Sequence, residues 1–314
     1  MKLLDVSASF VSLVDSAGPA IARIEAPRQA SATGLLWADD GLVITAHHAL
    51  RRDAPIRVAL GEHEPRDARL LGRDPATDLA VLRLERSQPE SSEPAPSEPS
   101  PSELPPLPPV PTWRDPSTLR VGELALALAR PGRSVRAGLG LVAVVGEGLP
   151  TPGGRILAPY IELDRALPRG FSVAPVLDGQ GQVLGLATAG LVPDATVVLG
   201  AQTVRSSVEA IVAHGGVPQG YLGVGVSPAR LPGRLRERLG QPRALAVVGI
   251  AEDGPAARAG VLLGDVILAI EGRAVRSPSG LRAQLADRAG EAVSLRLLRG
   301  GETTELQVTA GERR

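Results

Sequence analysis

Apolar residues along the first two thirds of the chain fall in short bursts, each closed by glycine, aspartate or proline. Ile21–Ile24, Leu35–Trp37, Leu42–Thr45, Ile56–Leu60, Arg69–Arg73 and Leu79–Leu84 are such bursts, punctuated by Asp39-Asp40-Gly41, Arg52-Asp53-Ala54-Pro55 and Gly72-Arg73-Asp74-Pro75. A second set follows at Leu124–Ala129, Leu139–Val145, Ile156–Leu163, Pro175–Leu177, Val183–Thr188 and Thr196–Leu199. Many short strands at close spacing predict an all-β barrel or sandwich. Two stretches carry helical periodicity instead. Ser9 to Ala20 places Phe10, Leu13 and Val14 on one face, and Val204 to His214 runs into the stop signal Gly215-Gly216.

After a linker at Val217 to Gln219 the pattern changes again. Tyr221–Val226, Ala244–Ile250 and Asp265–Ile270 read as strands. Pro255 to Gly260 reads as one helical turn, Ser277–Ala289 as an amphipathic helix with Leu281 and Leu285 on one side, and Ala292–Arg299 with Glu302–Val308 as a hairpin around Gly300-Gly301. The chain therefore divides into a β-rich domain over 1–215 and a smaller domain over 219–310. Ser87 to Pro111 is dominated by proline, serine and glutamate. Such a composition neither builds a hydrogen-bond ladder nor buries a core, so it predicts an extended, disordered surface insert inside the first domain.

Composition removes several functions. The 314 residues carry 34 basic and 34 acidic side chains, so no charge excess points to nucleic acid or an anionic membrane. There is no cysteine, which excludes disulfides, thiolate metal sites and cysteine nucleophiles. No apolar run reaches the roughly 18 residues of a membrane span, and Met1 to Ala20 lacks the apolar core of a signal peptide. The expectation is a soluble chain, cytoplasmic as written, or periplasmic or exported if a precursor signal has been removed.

Three residues offer chemistry together. Gly41-Leu42-Val43-Ile44-Thr45-Ala46-His47-His48 runs an apolar strand into a histidine, which delivers a general base rigidly. Asp78 lies just ahead of the strand Leu79–Leu84, where a buried carboxylate needs donors and an imidazole N–H would serve. Asp74, before Pro75, reads as a turn cap. Gly170-Phe171-Ser172 sets a serine in a tight turn with apolar residues behind it. The order His48, Asp78, Ser172 in an all-β context is that of chymotrypsin-type enzymes.

Here the chain resembles a family. Thr45-Ala46-His47-His48-Ala49-Leu50, Thr77-Asp78-Leu79-Ala80-Val81-Leu82, Val121-Gly122-Glu123-Leu124-Ala125-Leu126-Ala127, Ile161-Glu162-Leu163-Asp164-Arg165-Ala166 and Arg169-Gly170-Phe171-Ser172 with Pro175 are similar to motifs of the HtrA/DegP trypsin-like serine proteases. Tyr221-Leu222-Gly223-Val224, Gly254 to Val261 and Gly264-Asp265-Val266-Ile267 are similar to that family's PDZ domain. The resemblance implies a mainly β protein, a chymotrypsin-like double barrel followed by one PDZ domain. It implies a serine endopeptidase acting on unfolded or damaged proteins without metal or cofactor. His48 would be the general base, Asp78 its orienting acid, Ser172 the nucleophile, and Gly170 and Ser172 the oxyanion donors. Leu167 would line an apolar substrate pocket for small aliphatic side chains. Tyr221, Leu222, Gly223 and Val224 would hold the C-terminus of a bound peptide, and a homotrimer is implied.

The chain also departs from the family. Phe171 replaces a small polar residue, and Val173 and Ala174 replace glycines, where valine tolerates positive φ poorly. The alternative reading is a catalytically impaired relative that keeps the fold as a peptide-binding scaffold.

Overall fold

The computed structural model describes residues 3–25, 32–50, 55–85, 106–151, 156–188, 191–192, 195–286 and 288–313. Most of the Pro-rich stretch 87–111 lies outside the described residues. The chain separates into two compact units: residues 1–149 with 158–215, and residues 150–157 with 216–314.

The first unit holds two closed six-stranded barrels. Strands β1 (Ile21–Glu25), β2 (Ala32–Leu36), β3 (Leu42–Ala46), β4 (Ile56–Leu60), β5 (Arg66–Asp74) and β6 (Leu79–Leu84) close in the order β1-β2-β3-β6-β5-β4. Strands β7 (Leu124–Ala129), β8 (Arg136–Gly146), β9 (Tyr160–Leu163), β10 (Ala174–Leu177), β11 (Val183–Thr188) and β12 (Thr196–Gly200) close as β9-β12-β11-β10-β7-β8. All pairs are antiparallel. Closure removes free strand edges, so alternate side chains point inward with no seam to protect. Ile24, Leu35, Ile44 and Leu82 are sealed in the first barrel, and β3 and β11 are buried at every position. The predicted single strand over Ile156–Leu163 breaks into Ile156–Leu157 and Tyr160–Leu163. Pro159 stands at the break and has no N–H to donate to a ladder.

Two helices complete this unit. Helix α1 (Leu3–Ala17) starts earlier than the pattern predicts and ends where Pro19 enters a 3-10 turn, Gly18–Ala20. Phe10, Leu13, Val14 and Ala17 pack on Leu126, Leu128, Leu177 and Val183 of the second barrel. Helix α2 (Ala201–His214) buries Thr203, Val204, Ser207, Val208 and Ile211, a stripe at helical spacing, and Gly215 caps it by donating to the Ile211 carbonyl at 2.8 Å. Its end meets β5 at Gly72, where a Cβ would stand 2.1 Å from the Gly215 oxygen. Only glycine allows that approach.

The second unit is built on a six-stranded sheet. Strands β14 (Val224–Arg230), β15 (Arg243–Ile250), β16 (Val266–Ile270), β18 (Ala292–Arg299) and β19 (Glu302–Thr309) lie in that order, with β17 (Arg273–Ala274) paired to β16. The predicted linker is partly strand: β13 (Gln219–Tyr221) pairs with β20 (Gly311–Arg313). Helix α3 (Gly233–Leu239) has no counterpart in the sequence reading; its apolar residues are only Leu235 and Leu239, half-buried against Leu231, Ala244, Leu268 and Leu298, too short a stripe to show helical periodicity. Helix α4 is one turn, Pro255–Arg258, and α5 (Pro278–Leu285) starts from Ser277, whose hydroxyl accepts from the Gly280 N–H at 3.0 Å. Leu222, Leu245, Ile267, Leu281, Leu285 and Leu295 share its core. No helix among the described residues is long and apolar enough to cross a membrane.

Candidate active site

Strand β3 carries Thr45 and Ala46 out of the first barrel into a 3-10 turn, His47–Ala49. The adjacent strand β6 begins at Leu79, paired with Ala46, so Asp78 arrives beside that turn. The Asp78 carbonyl accepts from the His47 N–H at 2.9 Å, and one carboxylate oxygen accepts from the His48 N–H at 3.0 Å. The other carboxylate oxygen stands 2.7 Å from His48 Nδ1. Asp78 thus grips both backbone and ring of His48, which puts the Nδ1 proton toward the acid and leaves Nε2 as the free basic nitrogen. The hydrogen bond that His48 donates to Asp78, opposed by partial burial, raises the His48 pKa above the ordinary imidazole value. His47 differs: burial and then the Arg73 guanidinium lower its pKa. Arg73 donates to the carbonyls of His47 (3.1 Å) and Leu50 (2.8 Å), tying down the turn that presents His48.

Asp78 has φ +60, a conformation that aspartate tolerates better than most residues. The turn before it is built on Asp74. That fully buried carboxylate accepts from the Ala76 N–H (3.1 Å), the Thr77 hydroxyl (2.7 Å) and the Ser207 hydroxyl of α2 (2.8 Å). The expected turn cap is therefore also a link between α2 and the base of the Asp78 turn.

The serine comes from the loop between β9 and β10. Gly170 sits at φ +91, and a Cβ there would lie 2.7 Å from Pro131 Cβ, so both conformation and space demand glycine. The Phe171 N–H donates to the Pro168 carbonyl at 3.2 Å and the Gly170 carbonyl accepts from the Thr33 hydroxyl at 2.7 Å. The peptide between Gly170 and Phe171 is held at both edges. Among the described residues the N–H groups of Gly170 and Ser172 donate to no other group. Two such donors flanking a fixed peptide are what an oxyanion site requires.

The residues that depart from the family's pattern are accommodated. Phe171 is 4% exposed and packs in the second barrel's core with Leu163, Leu167, Val142 and Ala174. Val173 adopts φ +62, fully buried, with its N–H donated to the Ala187 carbonyl at 2.7 Å. A β-branched residue at that φ stores on the order of 1–3 kcal/mol of strain, which the surrounding barrel imposes.

His48 and Ser172 line one cavity of about 360 Å3, together with Leu167, Pro168, Gly170, Phe171, Ala187, Thr188 and Thr196. No hydrogen bond joins His48 to Ser172 among the described residues. Such bonds are commonly long without substrate and tighten when it binds. The expected residues His48, Asp78, Ser172, Gly170 and Leu167 are thus brought together. Tyr221, Leu222, Gly223 and Val224 line a different hollow of about 650 Å3 in the second unit, with Val226, Leu281, Arg282 and Leu285 of β14 and α5. There the N–H groups of Leu222 and Gly223 have no partner among the described residues. The sequence reading missed Thr33 and Thr196. Neither lies in a motif of its own, and each acts on a residue remote in sequence.

Comparison with known proteins agrees with this geometry. Residues 32–186 match the family model of the trypsin-like peptidase domain, and residues 220–310 match that of the PDZ domain. A probable periplasmic serine endoprotease DegP-like of Brucella suis is 29% identical over 291 residues, covering 89% of this chain and 52% of its own length. Its counterpart in Halomonas elongata is 28% identical over 295 residues, covering 91% and 57%. The chain spans about half the length of the curated relatives it matches. Among solved structures, the HtrA-type protease AlgW with tripeptide is 27% identical with TM-score 0.64, covering 97% of both chains. The same protease with decapeptide is 25% identical with TM-score 0.66, covering 97% of this chain and 99% of that one. The double barrel, the two consecutive family matches and the structural likeness agree: the chain joins a trypsin-like peptidase domain to a PDZ domain and is similar in both to the HtrA/DegP-like proteases.

Proposed function

We propose that the protein hydrolyses peptide bonds of unfolded or damaged polypeptides, with Ser172 as nucleophile, His48 as general base and Asp78 as the acid that orients it. The grip of Asp78 on both the backbone and the ring of His48 carries this reading. Ser172 Oγ attacks the carbonyl carbon while its proton passes to His48 Nε2. The carbonyl oxygen becomes an oxyanion that the Gly170 and Ser172 N–H groups hold. The C–N bond then breaks as His48 returns the proton to the leaving amine. Water attacks the acyl-enzyme, giving its proton to His48, and Ser172 is released with that proton. Asp78 stabilises the imidazolium in both halves. Incubation with casein and with a serine-reactive fluorophosphonate, beside Ser172→Ala, tests the reading. Cleavage and labelling only in the parent support it; equal behaviour of parent and variant would leave the scaffold reading.

The PDZ domain would add an extended peptide as a strand beside β14, its terminal carboxylate at the Leu222, Gly223 and Val224 N–H groups. The unpartnered Leu222 and Gly223 donors support this, as do the peptides named in the AlgW structures. Peptides with free and amidated C-termini should differ in affinity; equal affinities would count against carboxylate capture. The relatives' periplasmic names favour the exported placement over the cytoplasmic one. Assembly as a homotrimer, which the resemblance implies, is tested by light scattering, where the mass of a single chain would exclude it.

A further inference from the structure

The cavity that holds Ser172 has an apolar wall of Leu167, Phe171 and Ala187, and it also contains a buried hydroxyl. Thr196 opens β12, pairs with Leu163 of β9 and is 1% exposed. Its Oγ1 accepts from the Leu167 N–H at 3.1 Å, which fixes both the threonine rotamer and the start of the nucleophile loop. A hydroxyl also has a proton to give. Among the described residues nothing accepts the proton of Thr196. A buried donor in a cavity wall loses free energy unless a ligand or water accepts from it. The loop's register therefore leaves one committed lone pair and one uncommitted donor on a residue that lines the space beside Ser172.

We propose that Thr196 is a specificity-determining residue, selecting substrates with threonine or serine on the acyl side of the cleaved bond over their counterparts valine and alanine. This rests on the reading of Ser172 as the nucleophile and of its cavity as the acyl-side pocket. The side-chain oxygen of the substrate accepts from Thr196 Oγ1, while its β-carbon and methyl group meet Leu167, Phe171 and Ala187. Valine has the same shape as threonine and fills the same walls, but leaves the Thr196 proton unmet. Sites built around a hydrogen bond reject the analogue that lacks it. The inference replaces the small aliphatic preference expected from Leu167 alone.

The experiment uses the full chain and two peptides that differ only in threonine or valine at the acyl-side position, with an alanine peptide as reference. The net worth of one neutral hydrogen bond sets the expected threonine-to-valine ratio of kcat/KM at about three- to ten-fold in the parent. Thr196→Val removes the donor and should bring the ratio to one or below. It also takes the acceptor from the Leu167 N–H, which slows all three peptides together and cancels in the ratio. Thr196→Ser keeps the hydroxyl and should restore the preference. A parent ratio of one or below overturns the inference without needing any variant, as does an unchanged ratio in Thr196→Val. Hydrolysis of no peptide above the Ser172→Ala background would instead overturn the nucleophile reading, and the inference with it.

Discussion

Replacing Thr33 with valine exchanges a hydroxyl for a methyl at nearly constant volume, at a site with no solvent exposure. The hydroxyl serves two backbone groups, donating to the Gly170 carbonyl at 2.7 Å and accepting from the Arg130 N–H at 3.0 Å. Valine leaves both without that partner. At about 1–3 kcal/mol for each buried group left unmet, the loss lies on the order of 2–6 kcal/mol. For a domain of this size that lowers Tm by roughly 4–24 °C. The catalytic effect comes from the freed Gly170–Phe171 peptide. If the Gly170 N–H no longer meets the oxyanion, kcat falls by up to about 10²–10³. Thr33→Ser keeps both hydrogen bonds and should lose only about 1 kcal/mol for the missing methyl. The assay is kcat/KM against pH, below the Tm of each variant. The midpoint of the profile should stay in place, because the contacts of His48 with Asp78 are untouched. A folded Thr33→Val with parental kcat/KM, or one whose profile moves with its rate, would refute the account of Thr33 as the brace of the oxyanion loop.

Further outcomes are expected. The base must be neutral to accept the serine proton, so activity should rise with pH through a midpoint above the ordinary imidazole value of 6.5, because Asp78 raises the His48 pKa. Asp78→Asn should move that midpoint down and lower kcat by about 10⁴; a midpoint that moves up would contradict the assignment. The same raised pKa means that His48 protonation stabilises the fold fully below the unfolded value and that this contribution is lost as pH rises through the folded value. With the His48 side chain 59% exposed, that contribution is small and screened. Val173→Gly should change stability little in denaturant titration, since relief of about 1–3 kcal/mol of φ strain opposes the loss of about 1.5–3 kcal/mol of buried side chain. A loss well beyond 3 kcal/mol would mean that the φ of Val173 is not strained.

The pairing of fold and site was unevenly legible in the residues. His48 and Asp78 stand out because each abuts an apolar strand, and β3 and β6 then pair in register to bring them together. Ser172 stands out for its turn. The departures at Phe171 and Val173 were visible as letters, but their resolution was not. It depends on a core that accepts a phenyl ring and on an Ala187 carbonyl that fixes the Val173 N–H. The relay from Thr45 Oγ1 to the Thr33 carbonyl, and from Thr33 Oγ1 to Gly170, was hidden for a different reason. It joins residues 137 positions apart across two barrels, and a threonine in a strand has no pattern that reveals such a partner. Helix α3 escaped because its apolar face is a single half-buried pair, Leu235 and Leu239, too short to stand out as a helical period. The longer reach of α1 and the strand at Gln219–Tyr221 are end effects set by packing and by pairing with a distant strand.

The most direct measurement of the central claim is mass spectrometry of the intact protein after exposure to a fluorophosphonate, with peptide mapping of the adduct. One adduct per chain on Ser172, lost in His48→Ala and strongly slowed in Asp78→Asn, is the predicted result. An unmodified Ser172, or an adduct that forms equally fast without His48, would contradict it.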